Sequence, residues 1–270
     1  MQSTENWDSF VRSLEATAKD KLANWPSEWV GFHWPGYTYE HTLRVRNLSR
    51  AMARTLSADD RLVEVAALLH DIGKPEGEPH GDIGAGRAEE ILASLGVGAP
   101  DRRRVCDLVR THLAPDPPYP TENLVLSDAD YIDANFGYVA FARYITIRAS
   151  RDMPVNETVE SAGEWLANVD GRRRKVVTDL GRTIVEERFG RMATFLESLR
   201  EDLRGGADGD GAALVIARYL AADARRPSLL RQVAHMRQVL AGERREDGLR
   251  LSATLGSFAE LTDQEMAGER

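Results

Sequence analysis

An apolar run that stops in two ligand-type side chains places the strongest constraint on how this chain can fold. The segment Ala66-Ala67-Leu68-Leu69-His70-Asp71-Ile72-Gly73-Lys74 delivers an imidazole and a carboxylate, side by side, into what must be the interior. Desolvating both is costly unless each finds a strong partner, and a divalent cation satisfies the two at once. The fold must therefore bring further ligands to this point.

Candidates stand in order along the sequence. His41 lies upstream, and His80, His112 and the cluster Asp128-Ala129-Asp130 lie downstream. The chain has six histidines, and four of them fall in this series, which sets them apart from isolated capping or core histidines. Imidazole and carboxylate ligands without thiolate suit manganese, iron, nickel, cobalt, zinc or magnesium. The nitrogen-rich set favours a transition metal over magnesium.

Apolar residues recur at helical spacing in most segments, and no stretch sustains the alternation of a half-buried strand, so the expected fold is all-α. A first helix is expected from about Trp7 to Asn24, ended by Pro26. A loop rich in Trp, Gly and Pro follows, and then a helix from about Tyr39 that bears His41. Trp25, Trp29 and Trp34 are expected to bolt the first helix to the core, with His33 in a structural role. Ser57 or Asp59 can cap the next helix, which runs to His70-Asp71, where Gly73 permits a left-handed turn and Pro75 blocks continuation. Glu76 to Asp82 reads as a polar loop presenting His80. His112 falls at the C-terminal end of a helix through Val105, Leu108 and Val109, ahead of the stiff loop Ala114 to Pro120.

Thr121 can cap one long helix from about Glu122 to Ala149. Residues two apart on it lie about 200° apart around the axis, so only one of Asp128 and Asp130 can face a shared ion. Helices are also expected over Val155 to Asn168 and Arg172 to Leu203, with Arg172 to Lys175 as a solvated helix start. The Gly/Asp stretch 205–211 reads as a linker, and residues 212–270 as a helical pair, including His235, followed by a polar tail.

With 270 residues and 42% hydrophobic content the chain can bury a substantial core. The single cysteine, Cys106, excludes an internal disulfide and reads as a packing residue. No apolar stretch reaches the roughly 18 residues of a membrane span and no secretory leader pattern is present, so a cytoplasmic protein is expected. The formal charge of -8 disfavours nucleic acid polymers and leaves small substrates.

The ordered set His41, His70-Asp71 and Asp130, in His41-Thr42-Leu43-Arg44-Val45, Leu68-Leu69-His70-Asp71-Ile72-Gly73-Lys74 and Asp128-Ala129-Asp130-Tyr131-Ile132, resembles the HD superfamily of metal-dependent phosphohydrolases. The likeness covers about residues 39–149, the expected core of a helical HD-type domain over 1–204. It implies that His41, His70, Asp71 and Asp130 bind one divalent cation. It also implies that His80 and His112 complete a second site, with Asp71 bridging. The phrase Ala129-Asp130-Tyr131-Ile132 selects Asp130 as the distal ligand and leaves Asp128 to cap, to orient a ligand or to act as general base.

The activity so implied is hydrolysis of a phosphate ester or anhydride in a small phosphorylated substrate such as a nucleotide, with one or two metal ions. Asp71 belongs to the catalytic centre, and Lys74 and Arg44 can neutralise developing charge. Similar six-ligand sites in some relatives hold two irons and oxidise small molecules with oxygen, so an HD-type oxygenase is the alternative enzyme. A metal-stabilised regulatory module is the alternative outside catalysis. An HD nuclease is weakened by the acidic balance. Oligomeric state is not legible.

Overall fold

In the computed structural model, residues 4–23, 35–113, 118–205, 211–224, 228–242 and 248–268 are described. Among them are twelve α-helices and two short 3-10 turns, with no strand. The helices are α1 (Thr4–Ala23), α2 (Pro35–Thr55), α3 (Asp60–Leu69), α4 (His80–Ser94), α5 (Ala99–Thr111) and α6 (Thr121–Asn135). They continue as α7 (Tyr138–Ser150), α8 (Val155–Asp170), α9 (Asp179–Gly205), α10 (Ala212–Ala222), α11 (Leu229–Gly242) and α12 (Gly248–Ala267). The fold is all-α. No described helix is long and apolar enough to cross a membrane.

Two compact units are present, one formed by Met1–Tyr131, Val176–Gly181 and Met266–Glu269, the other by Ile132–Lys175 and Arg182–Glu265. In the first, α3 is the central element, packed against α1, α2 and α5. The Asp59 side chain caps it by accepting from the Leu62 N–H at 3.0 Å. Every residue from Leu62 to Leu69 is buried, as expected of a helix surrounded by others rather than lying on a surface. The one acidic residue in that stretch, Glu64, is satisfied by Arg50 at 2.8 Å and the Trp7 indole N–H at 3.2 Å. The run therefore hands His70 and Asp71 to the centre of the unit.

Directly past the pair, Gly73 has a right-handed backbone (φ -83°, ψ -15°), so the left-handed turn expected there is corrected. Glycine is needed for space instead, because a Cβ at Gly73 would run into the backbone of His80 and Gly84. His80 is likewise not on a loop but is the first residue of α4.

In the second unit α7 is buried on most sides, and α8, α10 and α11 pack on it. The Tyr144 and Trp165 rings stack at 4.3 Å, and Phe141 meets Trp165 edge-on. The long helix expected from Glu122 to Ala149 is two helices. Gly137, at φ 108°, turns the chain between α6 and α7, and the buried Glu265 carboxylate accepts from the Tyr138 and Val139 N–H groups at 2.9 and 3.0 Å. Residues 248–267, expected within a polar tail, are the helix α12, whose Phe258, Ala259, Thr262 and Glu265 are buried.

The helix expected from Arg172 begins at Asp179, where the Thr178 hydroxyl caps α9 by accepting from Gly181 N–H at 2.9 Å. Arg172 bonds Asn135 at 2.8 Å and Arg173 pairs with Asp170 and Glu186, while Arg172, Arg174 and Lys175 are exposed as expected of a solvated basic run. His235 pairs with Asp223 at 2.8 Å. His33, Trp25, Trp29 and Trp34, residues 114–117 of the loop expected over Ala114 to Pro120, and linker residues 206–210 lie outside the described residues.

Candidate metal centre

Five helices of the first unit converge on one buried cluster. His41 comes from the body of α2 and His70 from the C-terminal end of α3, with Asp71 next to it. His80 opens α4, His112 closes α5 and Asp130 lies on α6. The His41 Nε2 atom is 3.0 Å from Asp130 Oδ1 and 3.7 Å from Asp71 Oδ2. His70 Nε2 is 3.4 Å from Asp71 Oδ1 and 3.7 Å from Asp130 Oδ1, and His80 Nε2 is 3.6 Å from Asp71 Oδ1. The His112 ring centre is 5.2 Å from that of His70 and 5.3 Å from that of His80.

Two ligand groups emerge, His41-His70-Asp71 and Asp71-His80-His112, in each of which the ligand atoms lie within 4.8 Å of one another. Asp71 is common to both. Two atoms that coordinate one ion at about 2.1 Å can be no more than about 4.2 Å apart, and the nitrogen–oxygen separations above meet that limit.

The orientation of the rings has a local cause. The Nδ1 of His70 donates to the Ala67 carbonyl at 2.7 Å, and the Nδ1 of His112 to the Val109 carbonyl at 2.6 Å. A carbonyl oxygen can only accept, so the proton is on Nδ1 and the lone pair is on Nε2. Both carbonyls belong to last helical turns, where backbone acceptors lack intrahelical donors. His80 is held through Nδ1 by the Glu78 carboxylate, at 2.9 and 3.0 Å. The Nε2 atoms of His70, His80 and His112 and Oδ1 of Asp71 are buried with no hydrogen-bond partner. Their separations of 3.4 Å or more exceed hydrogen-bonding range but suit donor atoms around a shared cation. Four orphaned buried lone-pair atoms would each cost about 1–3 kcal/mol, so the donor set fits divalent metal.

The electrostatics point the same way. Burial alone would raise the pKa of Asp71, yet His70, Lys74 and His41 hold it well below the usual carboxylate range. Asp130 is also depressed, with His41 and His70 outweighing burial. Burial presses His70 toward its neutral form, but Asp71 and Asp130 prevail and raise its pKa, so the buried carboxylates draw positive charge to this point as they would draw a cation. His112 is pushed down to about 4 by burial and by neighbouring His70, and is neutral at physiological pH, as a ligand must be.

Around the cluster, Lys74 Nζ is 2.5 Å from Asp71 Oδ2. Arg44 is fully buried, with its guanidinium over the Tyr37 ring and Nη1 3.6 Å from Met266 Sδ, and is no solvated surface charge. Asp128 accepts from the Val177 N–H at 2.8 Å and from the Thr178 N–H and hydroxyl at 2.8 and 2.7 Å, so both its oxygens hold the approach to α9. Glu78 went unnoticed in the sequence, where a glutamate in a polar loop gives no signal beyond its place two residues before His80.

A buried His/Asp cluster gathered by the helices of an all-α unit is the feature against which known proteins are compared. Residues 38–135 match the HD domain family, a span that ends with α6 and contains all six cluster residues. The match covers a little over a third of the chain. YpgQ of Bacillus subtilis is 25% identical over 199 residues, covering 71% of this chain and 96% of YpgQ. The solved structure of YpgQ in complex with ADP has the same fold, with a TM-score of 0.54 at 22% identity over 73% of this chain and 96% of that one. A predicted HD superfamily hydrolase from an uncultured Thermotogales bacterium gives 0.51 at 23% identity, with the same coverage of each.

Proposed function

We propose that the protein hydrolyses a phosphate ester or anhydride bond of a small phosphorylated compound, a nucleotide first among them, using divalent transition-metal ions. The observation behind this reading is the group of buried, unpartnered Nε2 and Oδ1 atoms gathered about Asp71. In this reading His41, His70, Asp71 and Asp130 hold one ion, and Asp71, His80 and His112 a second. Bound there, such ions acidify water and polarise phosphoryl oxygens.

The protein's own part is preorganisation. Backbone carbonyls and Glu78 fix the three tautomers in advance, so little reorganisation accompanies binding. Lys74 steadies Asp71 Oδ2 and adds positive charge where a phosphate would arrive. The Asp130 and Lys74 side chains are 15% and 13% exposed while those of His41, His70 and Asp71 are at most 2%, so substrate enters from the Asp130–Lys74 side. The ADP bound to YpgQ supports a nucleotide as the first compound to try. Arg44 and Asp128 act as supports for α2 and the Val177–Thr178 segment and not on substrate.

Protein loaded with manganese, cobalt or nickel is to be assayed for phosphate release from nucleoside mono-, di- and triphosphates, cyclic dinucleotides and generic phosphoesters. His70→Ala and Asp71→Ala serve as controls. Metal-dependent release lost in both variants is expected. Release that survives both substitutions, tight binding without turnover, or iron-dependent oxygen uptake without phosphate release would overturn the proposal.

A further inference from the structure

Three of the four cluster imidazoles, those of His70, His80 and His112, are not held alike. His70 and His112 lean on backbone carbonyls three residues earlier in their own helices. His80 is the first residue of α4, with no preceding helical turn to offer such a carbonyl, and its Nδ1 meets both carboxylate oxygens of Glu78. The same carboxylate accepts from the His80 backbone N–H at 3.0 Å. Glu78 thus grips His80 at ring and backbone together, at a helix N-terminus where negative charge is favoured.

Only one of the two ligand groups contains His80. The Glu78 side chain is 75% exposed, so core packing does not account for it, and its replacement leaves the interior of the fold untouched. A carboxylate bonded to the far nitrogen of a ligating imidazole fixes the ring and raises its basicity; loss of such a partner typically costs about 10–100-fold in metal affinity.

We propose that Glu78 is the positioning residue of His80, and that it sets the affinity of the Asp71-His80-His112 group for a divalent cation independently of the His41-His70-Asp71 group. This rests on reading the cluster as a two-ion centre. Exposure gives the arrangement a consequence: the second ion is governed by a carboxylate in contact with solvent, whereas the His41, His70 and Asp71 side chains of the first are sealed in the core.

The test is a Mn2+ titration of the full chain, with free ion followed by electron paramagnetic resonance, for wild type, Glu78→Ala, Glu78→Gln and His80→Ala, each checked for folding by thermal melting. Wild type should bind two ions. Glu78→Ala should weaken one of them by about 10–100-fold and leave the other unchanged, and His80→Ala should abolish the same one. Glu78→Gln, whose carbonyl oxygen still accepts from the ring but without charge, should recover part of the loss. Two ions bound by Glu78→Ala as tightly as by wild type would sink the role of Glu78 alone, as would equal weakening of both. A wild type that binds one ion or none would remove the two-ion reading and this proposal with it.

Discussion

His112 donates from Nδ1 to the carbonyl oxygen of Val109 at 2.6 Å, and that bond commits its Nε2 lone pair to the space shared with His70 and His80. The ring is set by the same helix end that delivers it, so its orientation does not depend on an ion. His112→Ala removes both the donor atom and its support. Metal content should fall by one equivalent, and kcat/KM toward the best phosphorylated substrate by at least the roughly 10–100-fold that loss of a mere supporting partner costs. Elemental analysis beside steady-state kinetics checks both.

Gly73 stands where Asp71 leads toward α4, and its missing Cβ is what lets the chain pass the backbone of His80 and Gly84. The obstacles are backbone and cannot swing aside as a flexible side chain would. Gly73→Ala should destabilise the protein by about 1–3 kcal/mol, the usual cost of overpacking. It should also weaken metal binding through His80. Chemical denaturation and metal titration of the variant measure the two effects, and an unchanged midpoint would contradict the packing argument.

Much of this centre was legible before any coordinates. Leu62 to Leu69 announce a buried helix, Asp59 its start, and His70-Asp71 its polar end, because each rests on local chemistry alone. The break at Gly137 was not legible, since Phe136, Val139, Ala140 and Phe141 keep the apolar pattern running, and one glycine inside a helix costs only about 1 kcal/mol. What decides the break is Glu265, more than a hundred residues away in sequence, whose carboxylate receives the first N–H groups of α7. Glu78 and Gly73 were hidden for the same reason: their roles exist only against His80 and Gly84. Long-range partners leave no periodicity to read.

Cys106 should behave as an inert thiol. It is buried on α5, and burial together with the nearby Glu89 carboxylate pushes its pKa up to about 11. At pH 8 only about one molecule in a thousand then carries thiolate, the reactive form. Alkylation by iodoacetamide in the folded protein should rise about tenfold per pH unit from 7 to 10, with no plateau near the ordinary value of about 8.5. Linkage has the matching sign. A pKa raised by folding contributes stability below the unfolded value that is lost as pH climbs from there toward about 11. A reaction that levels off near pH 8.5 would mean the thiol is not shielded.

Removing metal should loosen the first unit. Without an ion, the Nε2 atoms of His70, His80 and His112 and Oδ1 of Asp71 stay buried and unpaired. An ion that binds only the folded chain adds about 2.7 kcal/mol at a free concentration one hundred times its Kd. For a chain of this size that is on the order of 5–10 °C in Tm. Thermal melts with excess Mn2+ and with chelator should differ by that order in the wild type and coincide in Asp71→Ala, which lacks the residue common to both ligand groups.

Asp128 and Asp130 are two residues apart on α6, yet they face different tasks, as the roughly 200° between them requires. Asp130 meets His41, while Asp128 is buried and accepts three hydrogen bonds from Val177 and Thr178. Bonds to a charged acceptor contribute about 1.5–3 kcal/mol each in isolation and do not add fully. Asp128→Ala should therefore lower the unfolding free energy by about 2–5 kcal/mol while metal content stays at the wild-type ratio. Asp128→Asn keeps one acceptor oxygen and should recover part of that loss. A general base would give the opposite pattern: stability preserved, kcat reduced a hundredfold or more, and the alkaline or acidic limb of the pH profile removed. Denaturant midpoints and kcat measured on the same preparations decide between a residue that holds the Val177–Thr178 segment in place and one that moves a proton.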